Sequence, residues 1–208
     1  MKKLLSIITF IVFGALAMAQ TPQQIVSQME TELEKHESDG VVMDIDVKIP
    51  ILGTMTTKTY TLGDKARIEG EVRGVKVITW TDGKTTWTYN SKKNEVEIDK
   101  TSEDASASEG DMEMFSGITE GYDVTIDKET STEWYLLCKK SKSKSNKDKD
   151  TPKKMNLVVA KKTYMPKSLS VKFSGMTMTM RNISFGVTEK QVTFNANDYP
   201  SVTIVNKQ

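Results

Sequence analysis

The chain has 208 residues, 37% of them hydrophobic, and 29 basic against 28 acidic side chains give a formal charge of +1. That balance excludes a protein held to nucleic acid or membranes by bulk charge alone. The length suits one domain, and 27% charged with 37% apolar residues excludes a fully disordered chain.

Met1, Lys2 and Lys3 open the chain with positive charge, and Leu4 to Leu16 form an uncharged, mainly apolar run. Ala17-Met18-Ala19 then supplies small residues at the positions a signal peptidase reads. The run is shorter than the ~20 residues a transmembrane helix needs. The expectation is a signal peptide over 1–19, cleaved before Gln20, and one exported, soluble domain over 20–208. Glutamine rather than cysteine follows the cut, so no lipid anchor is expected there. Loss of Lys2 and Lys3 turns the charge from +1 to −1. The remaining chain is about one-third apolar, which suits an antiparallel sheet with one solvated face. Cys138 is the sole cysteine, which excludes an intrachain disulfide and a cysteine metal cluster. Within Trp134 to Cys138 it reads as a small buried hydrophobe.

The first element expected is a one-sided helix of roughly four turns. Thr21-Pro22-Gln23-Gln24 has capping-box spacing with proline at the first helical position, and Ile25, Val26, Met29 and Leu33 share a face. Gly40 offers the stop. The period then changes to two. Val41, Met43, Ile45, Val47 and Ile49 alternate with Asp44, Asp46 and Lys48. Strands follow over 54–62, 66–72, 75–81 and 85–89, with Asp82-Gly83 as the strongest hairpin signal, and over 95–98. Residues 99–121 break the pattern; Met112, Met114, Phe115 and Ile118 form a short helix or a mobile lid. Strands resume over 122–126, 134–139, 156–160, 168–173, 176–185 and 191–194, and an apolar pair, Val202 and Ile204, follows Pro200. About ten strands with one leading helix predict a mainly β (α+β) fold, an antiparallel sheet strongly curved around that helix.

Charge is segregated along the chain. Residues 139–154 carry eight lysines and two aspartates, whereas residues 95–120 carry nine acids and one lysine. Both read as solvated loops that resist aggregation, or as tips that meet a charged partner or phospholipid headgroups. Without an aromatic side chain in the lysine run, nucleic acid is not expected as a partner.

Catalytic chemistry is not indicated. His36 is the single histidine, no G-x-S-x-G turn, phosphate loop or dinucleotide fingerprint occurs, and no cofactor or metal is expected. His36 reads as a helix-end side chain near the dipole. What remains is an apolar face. Met176, Met178 and Met180 lie on one side of a strand, with Leu169, Val171 and Phe173 on the strand before it. Met43, Ile45, Val47, Met55 and Trp87 extend the set. These side chains form an ordinary core or line a cavity for flexible chains, a use to which unbranched methionine is suited.

Thr81-Asp82-Gly83-Lys84-Thr85-Thr86-Trp87-Thr88-Tyr89-Asn90 resembles the "DGKxxWxYN" hairpin of the outer-membrane lipoprotein carrier family, the LolA-like proteins. Phe115 to Asp123, Trp134 to Lys139 and Lys167 to Phe173 also fit. Val192-Thr-Phe194 and Tyr199-Pro200-Ser-Val202-Thr-Ile204 are similar to the family's "FxFxxPxGVxV" ending. The resemblance spans roughly 23–206. It implies an unclosed antiparallel β-barrel whose apolar concave face is covered by the N-terminal helix and short lid helices. It also implies a monomeric periplasmic carrier. Such a carrier takes acylated lipoproteins or lipids from an inner-membrane lipoprotein-releasing transporter to an outer-membrane acceptor. In the family an arginine after a basic pair's lysine bonds to lid loops and controls opening. Lys65-Ala66-Arg67 makes Arg67 the matching position, with Ala66 inserted and Ile68 in place of the usual proline. The alternative is a lipid-sensing or lipid-binding module of the same fold that acts through a protein partner.

Overall fold

The computed structural model describes residues 20–51, 53–101, 115, 117–141, 152–173 and 175–207. The expected signal peptide, Met112, Met114 and most of the lysine-rich and acidic segments lie outside them. Helix α1 (Pro22–Glu34) begins as the sequence predicts. The Gln24 backbone N–H donates to Thr21 Oγ1 at 3.2 Å, and the Thr21 N–H donates to Gln24 Oε1 at 2.9 Å. The helix has 13 residues, close to the four turns expected, and a turn over 35–39 intervenes before Gly40. At Gly40 φ is 65°, and a Cβ would lie 2.5 Å from the Thr61 carbonyl oxygen. Only glycine lets the chain enter the sheet at that point.

Six strands follow: β1 (Val41–Ile49), β2 (Gly53–Leu62), β3 (Lys65–Val72), β4 (Val75–Thr81), β5 (Thr85–Asn90) and β6 (Glu95–Lys100). The short helix α2 (Ile118–Gly121) leads into β7 (Tyr122–Glu129), β8 (Glu133–Lys140), β9 (Lys154–Ala160), β10 (Pro166–Phe173) and β11 (Met176–Phe185). Helix α3 (Glu189–Val192), a 3₁₀ turn (Ala196–Asp198) and β12 (Thr203–Asn206) end the chain. The 191–194 segment expected as a strand is therefore helical at its start. The reason is local: Thr188 and Gln191 form a second capping box, and Phe194 points to a core instead of pairing.

All twelve strands form one open sheet in the order β12-β6-β5-β4-β3-β2-β1-β11-β10-β9-β8-β7. Neighbours are antiparallel except β12, which runs parallel to β6. The two meanders join where β1 pairs with β11. Register shifts between Val42 and Asp44, between Pro166 and Ser168, and between Ile126 and Lys128 place extra residues in three ladders. Asn182, with φ 55°, lies at the first of these irregularities. Such bulges bend and twist a sheet, and here they curve β1 and β7 to β11 around α1. The result is the unclosed, curved antiparallel barrel with few helices that the sequence and the family resemblance predict.

Two cores lie on opposite faces of this sheet. On the concave face Ile25, Val26, Met29 and Leu33 of α1 pack against Val41, Met43, Leu136, Cys138, Leu157, Leu169, Val171 and Met180. On the other face, Tyr60, Arg67, Trp80 and Trp87 occupy one cross-strand row. Tyr60 pairs with Val42, the neighbour of Met43, so alternation assigns that row to the side opposite Met43. The C-terminal segment covers it. Phe194 lies 5.4 Å from the Trp80 ring and stacks on Trp87 at 5.9 Å, while Tyr199 lies 5.0 Å from Tyr89.

Candidate functional site: an apolar strip on the concave face

The predicted apolar residues divide into two groups along the strands. Met43, Leu169, Val171 and Met180 are buried beneath α1. They are packed core, and the cavity alternative does not hold for them. Farther along the same strands burial falls, and Ile45, Phe173 and Met178 pack at the margin of that core. There Ile45, Val47, Phe173 and Met178 are half-buried, and Met176 is 38% exposed. Val47 faces Met178 on one side and Met55 on the other. Met178 in turn faces Val171, and Met176 faces Phe173. These side chains form one surface because cross-strand partners share a face.

The strip continues across β2, where Met55 belongs to the expected set, onto β3 and β4. Thr57 pairs with Gly70 and Gly70 with Val77, on the side of Ile45. Gly70 carries no side chain, which keeps the floor shallow between Ile45 and Val77. Met55, Ile68 and Val72 on this face are 47%, 39% and 47% exposed. Isolated exposed hydrophobes are ordinary; here they share one face of the sheet. From β10 to β4 the strip crosses six strands, about 24 Å at ~4.8 Å per strand. One leaflet of a bilayer has a hydrocarbon depth of ~15 Å, so an acyl chain fits lengthwise.

Two predicted site residues lie elsewhere. Trp87 stacks on Phe194 in the opposite core, so it cannot share a cavity with Met43. Arg67 belongs there too. Its guanidinium carbon lies 5.3 Å from the Tyr60 ring and 5.7 Å from Trp80. Nη1 donates to the Gln191 carbonyl at 3.5 Å, and Nη2 pairs with Glu69 at 2.5 Å, while Nε is buried without a partner among the described residues. The partners of Arg67 in that set are thus sheet neighbours and the C-terminal segment. Of the predicted lid, Phe115 and Ile118 are buried in the concave core, and the Ile118 N–H donates to Glu30 Oε1 of α1 at 3.2 Å.

The second core was missed although a signal existed. Val75 to Thr81 is apolar at both parities around Ile78 and Trp80, the pattern of a strand buried on both faces.

Reactive groups are engaged or shielded. His36 Nδ1 lies 2.7 Å from Asp39 Oδ2, and its ring stacks on Phe185 at 4.8 Å. Burial pushes the Cys138 thiol up to about 11. Among the described residues no group of three or more His, Cys, Asp or Glu could hold a metal ion. A groove of about 450 Å³ beside α1, lined by Gln28, Glu32, His36, Lys162, Thr163, Tyr164 and Met165, is of mixed polarity and open to solvent. Among the described residues no helix is long and apolar enough to cross a membrane.

No family model matches the sequence, and no curated protein matches it. Solved structures do match. LprF from Mycobacterium bovis is similar over 81% of this chain and 96% of its own, at 11% identity and a TM-score of 0.52. A conserved protein of Thermus thermophilus is similar over 89% and 98% of the two chains, at 16% identity and a TM-score of 0.46. A LolA superfamily protein of Nitrosomonas europaea matches over 86% and 100%, at 12% identity and a TM-score of 0.35. At these identities the likeness is one of fold. The likeness to LprF is that of an open, curved sheet with an N-terminal helix.

Proposed function

We propose that this protein is a carrier that holds acyl chains of lipoproteins or lipids on the concave strip, without catalysis. Its working place on this reading is the periplasm. Its donor is an inner-membrane lipoprotein-releasing transporter and its acceptor lies at the outer membrane. The observation that carries the proposal is the strip itself. Ile45, Val47, Phe173, Met176 and Met178 continue the helix-covered core outward on the same face but stand half-open. Each methylene removed from water there contributes ~0.8 kcal/mol, so part of one acyl chain supplies several. A shallow, methionine-rich surface accepts chains of varied length and saturation. The same lack of enclosure keeps the hold reversible, as handover without an energy source requires.

Native mass spectrometry of the protein purified from its own envelope tests this. Bound acylated peptide is the expected result, and bound phospholipid would redirect the proposal to a lipid cargo. Protein recovered empty that also fails to bind a fluorescent fatty acid would refute it.

A further inference from the structure

The end of the sheet where the strip opens is itself amphipathic. β1 and β10 run toward this end, and β2 and β11 leave it. The described ends of their connections, 50–51 and 175, therefore lie at the same end of the sheet. Ile51 sits in the first tip with φ 73° and is as exposed as in a free chain, at 105%. A β-branched residue rarely adopts that left-handed backbone, and here it presents an apolar side chain to the surroundings. Met176, 38% exposed at the start of β11, lies at the same end on the concave side with half-buried Phe173 and Ile49.

The convex side of the same tips is basic. Lys48 and Lys172 both pair in register with Thr177, so they flank β11 about 10 Å apart. Both are exposed. The acids of β1 on that side are already engaged. Asp46 accepts from Arg181 Nε at 2.6 Å, and Asp44 accepts from Arg181 Nη1 at 3.0 Å and Asn182 Nδ2 at 2.7 Å. Among the described residues neither Lys48 nor Lys172 is held in an ion pair, so both ammonium groups face outward.

We propose that this end of the sheet docks on an anionic phospholipid bilayer, with Ile51 and Met176 entering the interface while Lys48 and Lys172 meet lipid phosphates. Apolar insertion and basic attraction together make the two-signal pattern of reversible membrane attachment. Separate protruding tips suit a fluid interface, which closes around them. A stable protein partner would need a contiguous patch of roughly 800 Å². The inference rests on the acyl-carrier reading, because docking here sets the mouth of the strip against the membrane that gives or receives the chain.

The test is co-sedimentation of the purified protein with vesicles of phosphatidylcholine alone or mixed with phosphatidylglycerol, beside titration with a fluorescent fatty acid in the absence of vesicles. Binding should be about tenfold tighter on the anionic vesicles and weaken in high salt. Ile51→Asp, and Lys48→Glu with Lys172→Glu, should each remove about tenfold of that affinity. Both variants should keep the wild-type melting temperature and fatty-acid titration. Equal or absent binding to the two vesicle types would overturn the inference. So would an Ile51→Asp protein that binds vesicles like wild type, since attachment would then lie elsewhere on the chain. Protein that takes the fatty acid but ignores vesicles overturns docking alone. Protein that docks but never takes the fatty acid overturns the carrier reading alone.

Discussion

Replacing Met178 with glutamate should abolish cargo binding and leave the fold standing, whereas the same change at Met180 should unfold the protein. The two methionines share one face of β11, two residues apart. Met180 is 2% exposed and faces Ile45 and fully buried Leu169 beneath α1. A carboxylate there has no water and no partner, and the cost of several kcal/mol approaches the ~5–15 kcal/mol that holds a typical domain. Met178 is half-buried between Val47 and Val171, and a glutamate there reaches solvent. Its cost should be ~1–2 kcal/mol, a fall of roughly 2–8 °C in melting temperature for a domain of this size. Cargo loses more. A chain crossing Met178 forfeits about two methylene contacts at ~0.8 kcal/mol each, and covering the carboxylate adds ~1–2 kcal/mol. The sum, roughly 3 kcal/mol, is about a hundredfold in affinity. Fatty-acid titration and thermal melting of both variants measure these quantities. A folded Met178→Glu protein that binds within about threefold of wild type, less than ~1 kcal/mol, would refute the strip. Loss of stability equal to that of Met180→Glu would show the position to be closed core.

Three further outcomes are expected. Cys138, buried and with its thiol pushed up to about 11, should resist iodoacetamide at pH 8 until denaturant is added. Labelling at the rate of free cysteine in the native state would contradict that core. Arg67→Ala should lower stability by ~1–3 kcal/mol through lost contacts with Tyr60, Trp80 and Gln191, with fatty-acid affinity within about threefold. A large change in the rate of fatty-acid release would instead support the lid role that the family resemblance implies. The hydrogen bond from Arg181, with a second from Thr56, holds the Asp46 carboxyl below its usual range. A carboxyl depressed in the fold contributes stability above its unfolded value of ~3.9, and that contribution is lost as pH falls through the lower folded value. Urea midpoints measured from pH 6 downward should therefore drop more steeply below about pH 4 in wild type than in Arg181→Gln. Parallel curves would remove the linkage.

Much of the site was legible from local pattern, because alternation within a strand assigns each side chain to a face. The Met176-Met178-Met180 row and its partner row, Leu169 to Phe173, are real cross-strand neighbours. The capping box of α1 and the Asp82-Gly83 turn are also local, and Asp82 Oδ1 accepts from the Lys84 and Thr85 backbones as such a turn requires. Ile68 and Val72 could not be added from pattern alone, since their share in the strip depends on register through β2 and β3.

Most elements follow from local pattern: the capped α1, strands of period two, their turns and the methionine row of β11, with 191–194 the exception, where a second capping box starts a helix. Tertiary structure alone decided which rows share a face. Trp87 and Met43 each look inward on their own strands, yet the ladder from Val42 through Tyr60, Arg67 and Trp80 sets Trp87 on the opposite side. A one-residue change of register would exchange those faces, and no local signal forbids it. The join of β1 to β11 likewise links segments more than a hundred residues apart. That join sets the buried rows and the half-buried rows of both meanders on one face.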